Sequence, residues 1–472
     1  MSGHGVRKPL SVLLGEAKEE GQGTLKRHLG ATNLVLLGIG AIIGAGLFSL
    51  TGKVAAEHAG PAVTISFVIS AIGCAFAGLC YAEFASMIPI AGSAYTYSFA
   101  TMGRLFAWII GWDLVLEYAV GAATVAIAWS QYLNKFLMNF GMHLPQAVMA
   151  SPFEGGIINL PAVAIVVLLS LLLIKGTRES ALVNGLIVAL KVTVVLVFIF
   201  LGWAYIDPGN YSPYIPENTG AFGHFGWSGI LQGAGIIFFA YIGFDAVSTA
   251  AQEARDPQRD MPIGILGSLA ICTVLYVVFA HVMTGLAPYT EFGNATDKLA
   301  PVATAISHTP YVWLRQFIIL AILAGFSSVI LVMLLGQSRV FYSMSKDGLL
   351  PSVFSEVHPR FHTPWKNNML FMGFVGLFAG FVPGDVVGEM TSIGTLLAFV
   401  LVCVGIILVR KRMPDAPRGF RTPLVPLVPI LGIIVCGLMM AALPWDTWLR
   451  LLVWLLIGFV VYFRYSVKHA KY

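Results

Sequence analysis

The chain has 472 residues, of which 57% are hydrophobic and 11% charged, with a mean hydropathy of +0.82. It is too long and too apolar for a water-soluble core, and it reads as a polytopic membrane protein. The net charge of +5 is explained by the loop bias described below, so nucleic acid need not be invoked as a partner.

A window of about 20 residues, enough to cross roughly 30 Å of hydrocarbon, predicts twelve spans. They run over 33–56, 62–88, 105–138, 160–176, 182–205, 228–250, 264–287, 314–344, 367–382, 386–410, 424–441 and 446–466. Twelve crossings put both termini on one side. With that side cytoplasmic and residues near span ends counted with the side they face, 22 of the 28 Lys and Arg fall inside, five outside and one in the hydrocarbon, which orients the chain by the positive-inside rule.

The polar first 30 residues carry no short apolar region before a small-residue cleavage site, so targeting is assigned to the first span. Residues 10–29 fit either a surface amphipathic helix or a solvated tail.

Span 1 contains Gly38, Gly40, Gly44 and Gly46. Each glycine costs a helix on the order of 1 kcal/mol against alanine, and hydrocarbon cannot satisfy unwound backbone, so a break there needs protein or a water-filled cavity around it. Such a break exposes N–H groups from one half-helix and C=O groups from the other, and can hold a carboxylate and an ammonium together. A close helix crossing through the pair Gly40 and Gly44 is the competing reading.

Span 2 ends near Glu83, where a solvated or ion-paired carboxylate is expected, and a short loop follows from Pro89. Span 3 carries Asp113 and Glu117 on one face, Glu117 roughly 18 Å along the axis from Leu105 at 1.5 Å per residue. Carboxylates so deep face a cavity or a partner, so Glu117 handles substrate or protons, or forms a structural ion pair. Span 5 carries Lys191, the one basic residue placed inside the hydrocarbon. Burial disfavours its ammonium, which suits a proton carrier, while bonding to backbone carbonyls would make it a structural cation.

Span 6 has a second interruption at Phe239-Ala240-Tyr241-Ile242-Gly243-Phe244-Asp245. Two interrupted spans, each first in a set of five, are the spacing of an inverted-repeat transporter. Residues 253–262 read as a charged cytoplasmic loop, and His358 with His362 as a surface loop and not a metal site. Gly46 to Lys53 fails as a phosphate loop in spacing, in its continuation to Val54 and in its outer location. The five cysteines all fall in spans and read as small buried apolar residues. No grouping of nucleophile, base and oxyanion donors marks an enzyme.

Gly38 to Phe48, Leu79 to Phe84, Ala91 to Tyr97, Leu116-Glu117-Tyr118, Phe239 to Asp245 and Pro257-Gln258-Arg259 together resemble the amino acid-polyamine-organocation superfamily. Within it the chain is similar to bacterial relatives of the cationic amino acid transporters, over nearly all twelve spans. The resemblance implies an all-α membrane fold of twelve helices, a five-plus-five inverted repeat (LeuT-like) with discontinuous helices 1 and 6, plus two further helices. The corresponding units are a cytoplasmic segment 1–32, one transporter domain 33–466 (repeats at about 33–205 and 228–410, helices 11 and 12 at 424–466) and a tail 467–472.

The resemblance also implies a substrate carboxylate on the N–H groups of Gly44, Ala45 and Gly46. It implies an α-amino group on carbonyls near Ile42, Ile43, Phe239, Ala240 and Ile242, Phe239 as an aromatic gate, and Lys191 as the proton-exchanging cation. Met333 takes the place of a small polar residue in the animal cationic transporters, which favours small neutral substrates such as alanine over arginine. The expectation is therefore a plasma-membrane L-amino acid symporter driven by protons. An exchanger, a non-transporting amino acid sensor and cationic substrates remain the alternatives. No cofactor is called for, and the partners are an L-amino acid, protons and membrane lipid, with a small accessory membrane subunit left open.

Overall fold

The computed structural model describes residues 7–9, 29–88, 93–176, 181–251, 254–293, 300–361 and 363–471. Ala91, Gly92, Glu253, His362 and most of the surface segment 10–29 lie outside them. Among the described residues the secondary structure is helical, with a single β-bridge between Leu29 and Ala254. Eight helical stretches among the described residues are long and apolar enough to cross a membrane, the first of them, Ala31–Met87, running through two predicted spans. Leu160–Lys175 and Leu427–Ala442 are shorter apolar helices.

The first helix, α1, is Ala31–Ile42, followed after a break by Gly46–Leu50, Thr51–Val54 and Ala55–Ala59. Then come α2 (Val63–Met87) and α3 (Arg104–Val115, a π-helical turn Leu116–Val120, and Gly121–Met138). Next are α4 (Leu160–Lys175), α5 (Ala181–Trp203) and α6 (Gly226–Ile237, with Phe238–Tyr241 tightened and Ala246–Thr249 beyond a break). The remainder are α7 (Pro257–Leu286), α8 (Arg315–Lys346), α9 (Trp365–Phe381), α10 (Gly384–Arg412), α11 (Leu427–Ala442) and α12 (Trp445–Val461).

Two expectations are corrected. Residues 257–262 are not loop but the first turns of α7. Pro257 at the first helical position needs no N–H bond, and Asp260 suits the positive N-terminal end. A hydropathy window sees only the lipid-immersed part of such a helix. The connection after α2 also contains a short helix, Ser93–Thr101, every residue of which is buried.

α7 packs on α2 and on the first half of α1, α8 packs on the second half of α3 and on α5, and α10 lies against α11 and the π-helical turn of α3. The five cysteines are free and buried, as expected. Glu83 is fully buried, with Arg410 Nε 2.8 Å and Arg418 Nε 3.0 Å from Oε1 and the Thr422 N–H donating to Oε2 at 2.8 Å.

The two ends of the chain meet at Asp347, just past α8. Lys8 Nζ lies 2.9 Å from its Oδ1, Tyr95 donates to its Oδ2 at 2.8 Å, and the Lys471 N–H donates to its carbonyl at 3.1 Å. The termini therefore share one face of the molecule.

Candidate functional site

The two breaks face each other. Ile43 leaves α1 with ψ at 105°, and Ile42 leaves its carbonyl in the terminal turn that no in-helix donor reaches. In α6, Ile242 turns to ψ 138° and Gly243 takes φ 112°, a left-handed conformation that glycine adopts without steric cost. The gap is too narrow for a side chain at Gly46, whose added Cβ would fall 2.1 Å from Ala240 Cα. Gly46 is therefore the residue that lets the breaks touch, and the glycines of span 1 serve a break and not a simple crossing of Gly40 and Gly44.

Two side chains reach the freed backbone. Lys191 of α5, 2% exposed, donates from Nζ to the carbonyl of Gly40 at 2.6 Å. Tyr276 of α7 places its hydroxyl 2.8 Å from the Ile42 carbonyl and 3.0 Å from that of Ala240, bridging the breaks. Tyr276 is a functional candidate that the sequence reading missed. Its only local signal was a polar hydroxyl in mid-span, and its partners lie 234 and 36 residues away.

One stripe of α8 reads three neighbours in turn. The stem of Lys191 lies 3.0 Å from where a Cβ on Gly325 would be, Val329 lies 3.3 Å from such a position on Gly44, and Met333 lies 3.3 Å from one on Gly121. The spacing of four keeps these three residues on one helix face. Met333 thus stands one turn beyond Val329, facing Gly121 of α3.

The remaining sequence candidates sit around this centre and are shut away from solvent. Ile42, Ile43, Ala45, Phe239, Ala240, Ile242, Glu117 and Met333 are all 6% exposed or less. Glu117 lies in the π-helical turn of α3 beside Tyr118, whose hydroxyl donates to Asp245 Oδ2 at 2.6 Å, with the Ser93 hydroxyl donating to the same oxygen at 3.3 Å. Glu117 and Asp245 therefore lie near the end of the second break, on the side toward Ser93. Phe239 sits in the tightened turn of α6, its carbonyl accepting the Ile242 N–H at 3.2 Å.

Contacts tie neighbouring elements together on both faces of this centre. On the face bearing the termini, the Arg255 N–H donates to Leu29 O at 2.9 Å, joining the start of α1 to the segment after α6. On the opposite face Lys53, 3% exposed, lies 3.3 Å from Glu389 and 3.8 Å from Asp385 of α10. Two facing backbone breaks, a buried lysine and a bridging tyrosine thus come together at the centre of the helices.

The amino acid permease family model matches residues 29–462. The chain belongs to this family. It is 46% identical over 459 residues to the branched-chain amino acid permease BcaP of Bacillus subtilis (strain 168), with 96% of each chain covered. It is 41% identical over 466 residues to the methylthioribose transporter of the same organism, with 98% of each covered. It is 34% identical over 399 residues to the cationic amino acid transporter 4 of Homo sapiens, covering 84% of this chain and 62% of the human one. These relatives are permeases and transporters, not enzymes, and the permease is a multi-pass membrane protein that carries amino acids.

Proposed function

We propose that this permease is a proton-coupled symporter of neutral L-amino acids in the plasma membrane, with both termini cytoplasmic and alternating access around α1 and α6. The observation that carries the reading is the buried Lys191 bonded to the Gly40 carbonyl where α1 breaks. A cation in that position stabilises the end of the half-helix when protonated and releases it when neutral, which ties proton binding to the shape of the site.

In this reading the N–H groups of Gly44, Ala45 and Gly46 take the substrate carboxylate. The carbonyls of Ile42, Ile43, Phe239, Ala240 and Ile242 take the ammonium, with Tyr276 holding two of them until substrate arrives. Met333 limits the substrate side chain, Phe239 covers it, and Glu117 with Asp245 handles a proton on the way to the cytoplasm. The twelve-helix arrangement with five-plus-five inverted repeats is part of the same proposal.

Two relatives sharpen the choice of substrate. One is named for branched-chain amino acids and another for methylthioribose. Methylthioribose has neither ammonium nor carboxylate, so it would meet both sets of backbone groups with neutral hydroxyls and without the charge-assisted bonds, whereas a branched aliphatic side chain asks only for room near Met333.

The test is uptake of labelled alanine, leucine and arginine into liposomes holding the purified protein, with and without an inward proton gradient and with unlabelled methylthioribose as competitor. Gradient-dependent accumulation of alanine or leucine, with little arginine and no competition, is expected. Uptake that ignores the gradient and needs internal amino acid would replace symport by exchange. Saturable binding without uptake would make the protein a sensor. Strong competition by methylthioribose would overturn the amino acid assignment.

A further inference from the structure

We infer that Gly121 of α3 is a positioning residue that sets how far Met333 withdraws from the substrate pocket, and so sets the largest neutral side chain the site accepts. The inference rests on the amino acid reading above.

Gly121 is the first residue after the π-helical turn of α3, and such turns concentrate at functional positions. A Cβ built on it would lie 3.3 Å from Met333 Sδ, 3.6 Å from Met333 Cε and 3.3 Å from Thr391 Cγ2. With glycine there, the space a Cβ would take is bordered by the thioether end of Met333 on one side and by the methyl of Thr391 on another.

The two neighbours differ in how they can respond. Thr391 is fully buried and its hydroxyl donates to the Val387 carbonyl at 2.9 Å, which fixes its methyl, and a β-branched side chain has few other rotamers inside a helix. Met333 has three rotatable side-chain bonds and shifts readily. A methyl group at position 121 therefore moves Met333 and not Thr391. In this proposal a Met333 pushed off Gly121 shifts along its own stripe toward Val329 and the first break, where the proposed substrate side chain lies. Gly121 and Met333 thus act as a pair, with the glycine providing the space into which the methionine retracts.

The test measures KM and kcat for alanine and leucine in liposomes for the wild type, Gly121→Ala, Met333→Ala and the double variant. One methylene in an apolar pocket changes discrimination by roughly 10- to 200-fold. Gly121→Ala is expected to raise the leucine KM about tenfold, with the alanine KM within about twofold and kcat for alanine retained. In the Met333→Ala background the same substitution is expected to have no effect on the ratio of the two, because the side chain it displaces is gone.

An equal change for both substrates, or the same leucine penalty without Met333, would show a merely structural glycine and overturn the inference. If Gly121→Ala does not fold, Thr391→Ser supplies the answer with opposite sign. It removes the methyl that confines Met333 while keeping the hydroxyl, and is expected to lower the leucine KM relative to alanine, an unchanged ratio counting against the pairing. A wild-type protein that takes up neither amino acid removes the functional reading first and this inference with it, whereas normal uptake with an unchanged ratio in the variants removes the inference alone.

Discussion

Lys191 Nζ lies 2.6 Å from the carbonyl oxygen of Gly40, so a side chain of α5 holds the last turn of α1 before its break. The contact couples a titratable group to the backbone that shapes the site. Lys191→Ala removes the cation and leaves a buried carbonyl without that donor, an omission that costs about 1–3 kcal/mol. The variant is expected to lose proton-driven accumulation of amino acid while keeping substrate binding. Tryptophan-fluorescence or calorimetric titration would check binding, and gradient-driven uptake would check coupling. Uptake at the wild-type level would remove Lys191 from the coupling step.

Tyr276 joins the two breaks through one hydroxyl, between the carbonyls of Ile42 and Ala240. One O–H can donate to only one of them at a time, so the pair remains open to a second donor such as a substrate ammonium. Its ring is held in place by Phe67 and Tyr241, at centroid distances of 5.5 and 5.4 Å. Tyr276→Phe should keep that packing and delete the bridge. The expected outcome is a KM raised about tenfold, the equivalent of about 1.4 kcal/mol, with little change in melting temperature. A variant that lost stability but kept its KM would make the hydroxyl structural.

The parts of this site that were legible in the sequence are those that violate a local rule. Glycines at membrane depth and a lone lysine in an apolar run stand out because hydrocarbon penalises both, and they led to the breaks at Ile43 and Ile242 and to Lys191. Tyr276 and Gly121 violate nothing locally. A tyrosine in α7 and a glycine in α3 are ordinary residues whose roles come from what long-range packing brings to them, Ile42 in one case and Met333 in the other. The π-helical turn at Leu116–Val120 and the start of α7 at Pro257 escaped for a third reason. Hydropathy measures where lipid is, not where helical hydrogen bonding begins or widens.

Glu83 is the anchor of the face that bears the termini. Its carboxylate is fully buried, while the side chains of Arg410 and Arg418 are 24% and 1% exposed. Breaking a buried pair by neutralising one partner is strongly destabilising because the other charge stays behind. Glu83→Gln strands Arg418 against an uncharged amide and should cost about 3 kcal/mol, the lower end of the usual range because Arg410 reaches solvent. Thermal unfolding in detergent should show a clear fall in melting temperature, and an unchanged value would mean that the arginines find other acceptors.

Lys53 makes the corresponding tie on the opposite face, from the second half of α1 to α10. Its ammonium lies 3.3 Å from Glu389, whose other oxygen accepts from the Thr447 hydroxyl at 2.9 Å and lies 3.6 Å from Arg450. Glu389 is thus fixed to α12 independently of Lys53, and in the proposed alternating-access reading the contact that parts on this face is the one to lysine. Weakening it should favour opening without creating any new contact, since a conformational equilibrium moves by the difference in free energy between its two states. In a protein carrying Ala45→Cys as a reporter in the first break, Lys53→Gln should speed labelling by an impermeant maleimide added to this face by about tenfold, the equivalent of about 1.4 kcal/mol. Lys53→Arg in the same reporter keeps a cation beside Glu389 and Asp385 and should hold the rate near that of the reporter alone. Equal labelling in all three proteins would mean that the ion pair stays closed throughout the cycle, and that the site opens on this face by movement elsewhere.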